Sequence, residues 1–538
     1  MALLRAVATV GGYTMASRVL GFVRDVLIAA LLGAGAGADA FFVALRLPNF
    51  FRALFAEGAF SAAFVPLYAG LIESRGRARA LGFAGESLAV LMAALLALTF
   101  AFEVAMPWVM AVLAPGFVGD PARFDLAVAL ARVTFPYLLL LSLVALLGAL
   151  LNAAGRFAAF AAAPILLNLV LIAAALAARP LGVAVPHALA FGVAVAGLAQ
   201  FLLLVGAAAR HGVLPRLPRP RLSPDVRELC RLLGPVALGA GVTQINLFVG
   251  VIIATLLPTG AVSWLYYADR LYQLPLGVVG IAIGTALLPL LARQIRAGNR
   301  AAANANHNRA IEAGLLLSLP AAVGLALLAG PIVDVLFRRG AFDAADAEAT
   351  AAALRAFVAG LPAAVLVRAL TPGFFARRDT ATPVRFAVVC MVAYVAVALT
   401  LFVPFGHVGL AGAISVAAWL NAGLLGGALI RRGDLVLDAR LRHRAPRLVG
   451  AVAVMAAAVG LGERGLGPWL AAGGATAWAA LGALIAAGVG VFILAALVLG
   501  AATRTDLATL GRRDAPPPPP DRPSLDPSGG PGHNGAGP

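Results

Sequence analysis

Lysine is absent from the 538 residues, and charged side chains of every kind make up only 12% of them. A soluble chain carries about 25% charged residues, so this one has too few to clothe a water-facing surface of its size, and its bulk belongs in lipid. Cysteine is scarce as well. Cys230 and Cys390 lie at or inside apolar runs with no metal-ligand spacing, and no role is assigned to either. Also missing are a nucleotide-binding loop, a cluster of metal ligands and a paired-carboxylate motif. These absences argue against a membrane-embedded enzyme such as a lipid-phosphate transferase, which needs an acid/base or metal constellation near the interface, and no cofactor is expected.

What the chain has in abundance is apolar sequence, 62% of it. A run of about 20 apolar residues crosses a hydrocarbon core of about 30 Å. Such runs fall near 8–32, 40–70, 82–112, 125–151, 158–178, 184–208, 230–257, 262–291, 309–337, 346–374, 383–404, 408–430, 447–462 and 474–502, which predicts an all-α polytopic membrane protein of about 14 transmembrane helices. The first run holds Arg18, Arg24 and Asp25 and no small-residue cleavage site, so it is expected to be retained rather than removed as a signal peptide.

The net charge of +17 therefore comes from arginine alone. A basic chain can bind nucleic acid, but the arginines alternate by loop: 23 follow even-numbered spans, including the stretch 210–231, and 6 follow odd-numbered ones. That is the positive-inside pattern. It predicts a multi-pass membrane protein with both termini in the cytoplasm, and no nucleic-acid partner. The segment 515–538 is rich in Pro and Gly and nearly devoid of apolar residues, so it is expected to be disordered.

The chain repeats itself weakly. "PWVMAVLAPGF" from Pro107 resembles "PIVDVLFRRGAF" from Pro331, an offset of 224; Arg46 and Arg270 differ by 224, Pro66 and Pro289 by 223, and Arg156 and Arg378 by 222. Two halves of six spans would be parallel repeats about an axis along the membrane normal. The predicted organisation is an N-lobe at 1–209, a cytoplasmic linker at 210–229, a C-lobe at 230–430, a second linker at 431–446, an appended helix pair at 447–502 and a tail at 503–538.

Several spans carry charge where lipid would penalise it. The first contains Ser17, Arg18, Arg24 and Asp25, the second Asp39, Arg46, Asn49, Arg52 and Glu57, and the eighth Ser263, Asp269, Arg270 and Gln273. An arginine at helix centre costs about 2.5–3.5 kcal/mol, so these side chains must face a wet cavity or one another. Structural pairing is one explanation, since Arg18 and Asp25, like Asp39 and Arg46, are seven residues apart and share a helix face. An anionic cargo is the other: the arginine fork matches phosphate oxygens two at a time. Ser263, Tyr266, Arg270 and Gln273 form one polar stripe. Gly33, Gly35 and Gly37 mark either a tight turn or a flexible gate, and Pro48, Pro66, Pro275 and Pro289 either packing kinks or bending points.

Three blocks carry a family resemblance: "SRVLGFVRD" (Ser17–Asp25), "GADAFFVALRLPNFFRALFAEGAFSAAFVPL" (Gly37–Leu67) and "VSWLYYADRLYQLPLGVVGIAIGTALLP" (Val262–Pro289). They resemble the signature blocks of the MurJ (MviN) lipid II flippases, over a region reaching to about residue 500. The resemblance implies the multidrug/oligosaccharidyl-lipid/polysaccharide exporter fold, two pseudo-symmetric six-helix lobes around a cavity, with the last two helices forming a groove for a lipid tail. It implies lipid II, an undecaprenyl-pyrophosphate disaccharide-pentapeptide, as cargo, moved from the cytoplasmic to the periplasmic leaflet for peptidoglycan synthesis without nucleotide hydrolysis. Membrane lipids, and cell-wall synthesis enzymes, would be its partners. By the same resemblance Arg18, Arg24, Arg52, Arg270, Asp39, Asn49 and Ser263 are candidate substrate-binding residues, and Ser17, Asp25, Arg46, Glu57, Asp269 and Gln273 gating or supporting ones. Gln273 departs from the acidic residue expected there in some members, which puts a lobe-closing salt bridge at that position in doubt. Membrane potential or a monovalent cation would supply the drive. The rivals are a flippase for another lipid-linked oligosaccharide, a drug exporter of the same fold, and a scaffold, which would have little reason to keep buried arginines.

Overall fold

The computed structural model describes residues 2–55, 59–504 and 506, and every regular element among them is helical. Lipid offers no partner for a backbone N–H or C=O, so a chain this apolar must satisfy those groups within each segment. The first half holds α1 (Ala2–Leu32), α2 (Ala36–Phe55), α3 (Ala59–Leu113), α4 (Pro121–Thr134), α5 (Tyr137–Ala153), α6 (Ala158–Ala178) and α7 (Val185–Arg210). After a non-helical stretch at 211–223 come α8 (Pro224–Thr255), α9 (Ala261–Pro275), a π-helical segment (Leu276–Gly280), α10 (Ile281–Arg296), α11 (Arg300–Leu327), α12 (Ala329–Phe337), α13 (Ala344–Val358), α14 (Leu361–Phe375) and α15 (Ala381–Arg431). The pair α16 (Ala439–Ala471) and α17 (Gly474–Val498) closes the described chain.

Nine stretches among the described residues are long and apolar enough to cross a membrane, two of them, 63–113 and 381–431, 51 residues long. Each of those two is more than twice the crossing length of about 20, and each is broken at one non-helical glycine, Gly76 or Gly406. The helices bearing Arg18, Arg24, Arg52 and Arg270 are not among the nine. Pro48, Pro66 and Pro289 lie inside α2, α3 and α10, and Pro275 ends α9.

Helix boundaries repeat at the offset seen in the sequence. Moved by 224 residues, α4 and α5 fall on α13 and α14 to within two residues at every end, with Pro136 and Pro362 at the matching breaks. In the first half α1 packs on α6, α6 on α7, α5 on α3 and α7, and α2 on α4; in the second α9 packs on α13, and α13 and α14 pack on α15. Helix α8 touches α2 and α3 on one side and α15 on the other.

Two expectations about boundaries need correction. The stretch read as linker to residue 229 is already helical from Pro224, because Ser223 accepts the Val226 amide at 3.4 Å and proline occupies the first turn, an N-cap that apolar counting ignores. The spans read at 125–151, 309–337 and 346–374 are each two helices, interrupted at 135–136, 328 and 359–360. The tail at 515–538 lies outside the described residues.

The pair α16 and α17 pack chiefly on each other, with α16 also against α11. A charged network pins its entrance: Arg444 Nη1 contacts Glu312 at 2.5 Å and Asp506 at 2.7 Å, and Arg309 bridges Glu312 and Asp438. Burial opposes the charged form of the Asp506 carboxyl, yet hydrogen bonds from Thr503 and Arg444 outweigh it and hold the group below the ordinary carboxylate range.

Candidate functional site

A cavity of about 710 Å³ sits where α1, α2, α5, α6, α7, α8, α9 and α14 meet. Ten of the thirteen residues singled out in the sequence line it: Ser17, Arg18, Arg24, Asp25, Arg46, Asn49, Arg52, Asp269, Arg270 and Gln273. So does Arg368 of α14, giving six arginines against two carboxylates, Asp25 and Asp269. In a chain with so little charge, that concentration makes a strongly electropositive chamber with low-dielectric walls.

The polar residues are organised around Asp25, which is 3% exposed. Arg24 donates from Nε and Nη2 to its Oδ1 at 3.0 and 2.7 Å, and from Nη1 to Asn168 Oδ1 at 2.9 Å. Asn168 in turn donates to the Ser17 carbonyl at 2.9 Å, tying α6 to α1. From the other half, Arg270 Nε approaches Asp25 Oδ2 at 3.4 Å, while its Nη2 donates to the Tyr266 hydroxyl at 2.9 Å with the guanidinium over the Tyr266 ring. Arg52 Nε donates to Asn49 Oδ1 at 3.2 Å. Gln273 bonds one turn back to Asp269 at 2.5 Å, within its own helix.

These contacts correct the pairings expected from spacing. Asp25 pairs with Arg24 and Arg270 rather than with Arg18, because the long arginine side chain reaches its immediate neighbour and no helix-face match is needed. Asp39 pairs with Arg123 of α4 rather than with Arg46. Arg18, Arg46 and Arg368 have no carboxylate partner among the described residues. Glu57 lies outside the described residues.

Asp39 and Ser263, also expected among the binding residues, are not on the cavity wall; both are fully buried. Asp39 accepts from Gly260 N at 2.7 Å, Ser263 N at 2.9 Å, Ser263 Oγ at 2.6 Å and Arg123, so it caps the start of α9 from a different helix. Positions 39 and 263 differ by the repeat offset of 224; they meet where the two halves face each other across their pseudo-twofold axis. Nearby, Asp346 accepts from Ala34 N at 3.1 Å and Trp264 Nε1 at 2.9 Å, and Ala341 N donates to Ala30 O at 2.8 Å. A Cβ on Gly33 (φ +62°) would stand 2.4 Å from Ala341 O, and one on Gly340 (φ +60°) 2.2 Å from Ala30 O. Gly33 is thus both a left-handed turn and a close backbone approach. Gly35 meets nothing. Together these contacts seal the halves on one side of the cavity, about 13 Å along α1 from Arg24.

Arg368, Asn168, Arg123 and Asp346 escaped the sequence reading. Arg368 stands in "AAVLVRAL" and Asn168 in "PILLNLVL"; the rule that flagged Arg18 and Arg270, a polar group at membrane depth, applies to both. For Arg123 and Asp346, at helix starts beside loops, the sequence holds no such signal.

A family model described as "Lipid II flippase MurJ" matches residues 28–470. The chain is 48% identical over 463 residues to a "Probable lipid II flippase MurJ" of Rhizobium meliloti (strain 1021), covering 85% of this chain and 86% of that one. It is 44% identical over 507 residues to the protein of the same description in Rhizobium tropici, covering 93% and 95%. Among solved structures, "Lipid II flippase MurJ, inward closed conformation" superimposes with a TM-score of 0.77 at 23% identity over 94% of this chain and 99% of that one, and an inward-facing MATE-family multidrug transporter of the MOP superfamily with 0.65 at 16% over 78% and 95%.

Proposed function

Because the chain belongs to the MurJ family of lipid II flippases, we propose that it carries lipid II from the cytoplasmic to the periplasmic leaflet of the inner membrane by alternating access. The observation that carries this reading is the chamber itself, six arginines and two carboxylates at the junction of two repeats. A pyrophosphate brings two adjacent groups of anionic oxygens, which several guanidinium forks can hold bidentately. A cationic drug would be repelled from the same walls, which sets the chain apart from the drug transporters that share its fold.

Polarity supports the direction. The seal joins Gly33, Asp39, Gly260, Gly340 and Asp346, which lie at loops after odd-numbered spans, the arginine-poor set, and the chamber lies beyond it toward the arginine-rich side. With the arginine-rich loops in the cytoplasm, the sealed face is periplasmic and the chamber awaits cargo from inside. Opening the Asp39 and Asp346 contacts while the other side closes would release the headgroup outward. Exposed apolar side chains on α16 and α17, Val449, Leu461, Val489 and Leu494 among them, support the role of this pair as the surface along which the polyprenyl chain travels, outside the aqueous path.

An empty chamber of net positive charge prefers the negative side of the membrane, so a potential worth about 2.3 kcal/mol per charge per 100 mV favours its return to the inward state. A bound monovalent cation is the other source of drive consistent with the reading. Enzymes that make lipid II on one face and consume it on the other are the fitting partner class.

The test is replacement of the resident flippase. Cells depleted of it and expressing this chain should grow and should expose lipid II to an external probe; abundant chain without restored exposure would overturn the proposal.

A further inference from the structure

Two cavity arginines have a feature the others lack. Arg18 on α1 and Arg368 on α14 both rest against the π-helical segment Leu276–Gly280, each over its own glycine. A Cβ on Gly277 would lie 2.8 Å from Arg18 Nη1, and one on Gly280 would lie 2.4 Å from Arg368 Cδ and 2.9 Å from its Nε. The segment follows Pro275, which has no N–H to give to the helical ladder, and a π turn is a widened turn often found at functional sites. Two glycines three residues apart thus present bare backbone to two guanidinia from opposite halves of the chain.

Three of the other chamber arginines have protein partners: Arg24 and Arg270 share Asp25, and Arg52 holds Asn49. Arg18 and Arg368 are exposed to the chamber with no carboxylate and no hydrogen-bond acceptor among the described residues. Arg46 also lacks a carboxylate there but has no such glycine beneath it. The Arg368 guanidinium, held by packing of its stem on Gly280 with its end donors uncommitted, is preorganised for an incoming oxyanion, since its rotamer entropy is lost before the ligand arrives; Arg18 meets Gly277 through the guanidinium itself.

We propose that Arg368, set in position by Gly280, contacts the pyrophosphate directly, and that with Arg18 over Gly277 it forms a two-pronged seat for the two phosphates. Gly280 is a positioning residue and Arg368 a binding one. The inference rests on the lipid II reading and assigns the contact within that site. It also places the seat on the element joining α9 to α10, so that filling it draws α1 and α14 onto one segment, coupling cargo to the relation of the halves.

The full chain purified in detergent, with undecaprenyl pyrophosphate as probe and uncharged undecaprenol as control, tests it. Arg368→Ala should weaken pyrophosphate binding about tenfold or more, the loss of a charge-assisted contact, with undecaprenol unchanged, and Arg368→Lys should fall between. Gly280→Ala, whose new methyl meets the middle of the Arg368 stem, should weaken binding in the parent and cause no further loss in Arg368→Ala. Gly277→Ala meets only the guanidinium end of Arg18, not its stem, and should do less. Parent-like binding by Arg368→Ala, or additive losses in the double variant, would overturn the seat. If the parent itself does not prefer the pyrophosphate to undecaprenol, the lipid II reading fails first and the seat with it.

Discussion

At the scale of the residue, the chamber divides its arginines by what they touch. Asp25 is the shared counter-ion of Arg24 and Arg270 and accepts from Tyr266 at 3.3 Å as well. Removing its charge leaves two guanidinia facing each other without a carboxylate, which costs more than the pair contributes. Asp25→Asn is therefore expected to cost about 1–3 kcal/mol and to lower the thermal unfolding midpoint of the purified protein by several degrees. An unchanged midpoint would mean that Asp25 does not hold the halves together. Arg18 and Arg270 are legible in the sequence, because a charge in an apolar span must be explained; Arg368 obeys the same rule but is the only charge in the stretch 361–375, without the charged neighbours that mark the other two. Which carboxylate meets which arginine was not legible, since spacing on one helix says nothing about a neighbour arriving from another.

At the scale of the element, the seal is built from backbone as much as from side chains. Gly33 and Gly340 let the α1–α2 and α12–α13 turns touch, and a methyl on Gly340 would collide with a carbonyl that cannot swing aside. Gly340→Ala should therefore part the seal. In a variant lacking Cys230 and Cys390 and carrying Leu45→Cys on the chamber wall, labelling by an impermeant thiol reagent from outside should rise severalfold over the same protein with Gly340 intact. Equal labelling at equal abundance would mean that the seal lies elsewhere. Every stretch read as a span lies mainly on helix in the described residues, because long apolar runs leave no other backbone solution in lipid. Breaks inside them, at Phe135–Pro136 and at the π segment, were hidden, since hydropathy runs through a kink without changing. The Ser223–Pro224 cap, by contrast, is legible in the sequence as a serine directly before a first-turn proline.

At the scale of the whole molecule, the account joins three things: a repeat, a charged chamber at its axis, and a seal between the halves at one end of it. The offset of 224 was faint in the sequence but recurs in the helix ends and in the Asp39–Ser263 contact; the closed side could not have been read, because a state of the chain is a property of contacts between halves. The central claim is that the arginines not paired with Asp25 hold cargo rather than the fold. Membrane abundance measured beside lipid II transport for Arg18→Ala, Arg52→Ala and Arg368→Ala, none of which meets Asp25, tests this most directly. The account predicts variants as abundant as the parent but with transport reduced at least tenfold, and partial recovery with lysine, which keeps the charge and loses the fork. Transport that falls only in step with abundance across the set would contradict it.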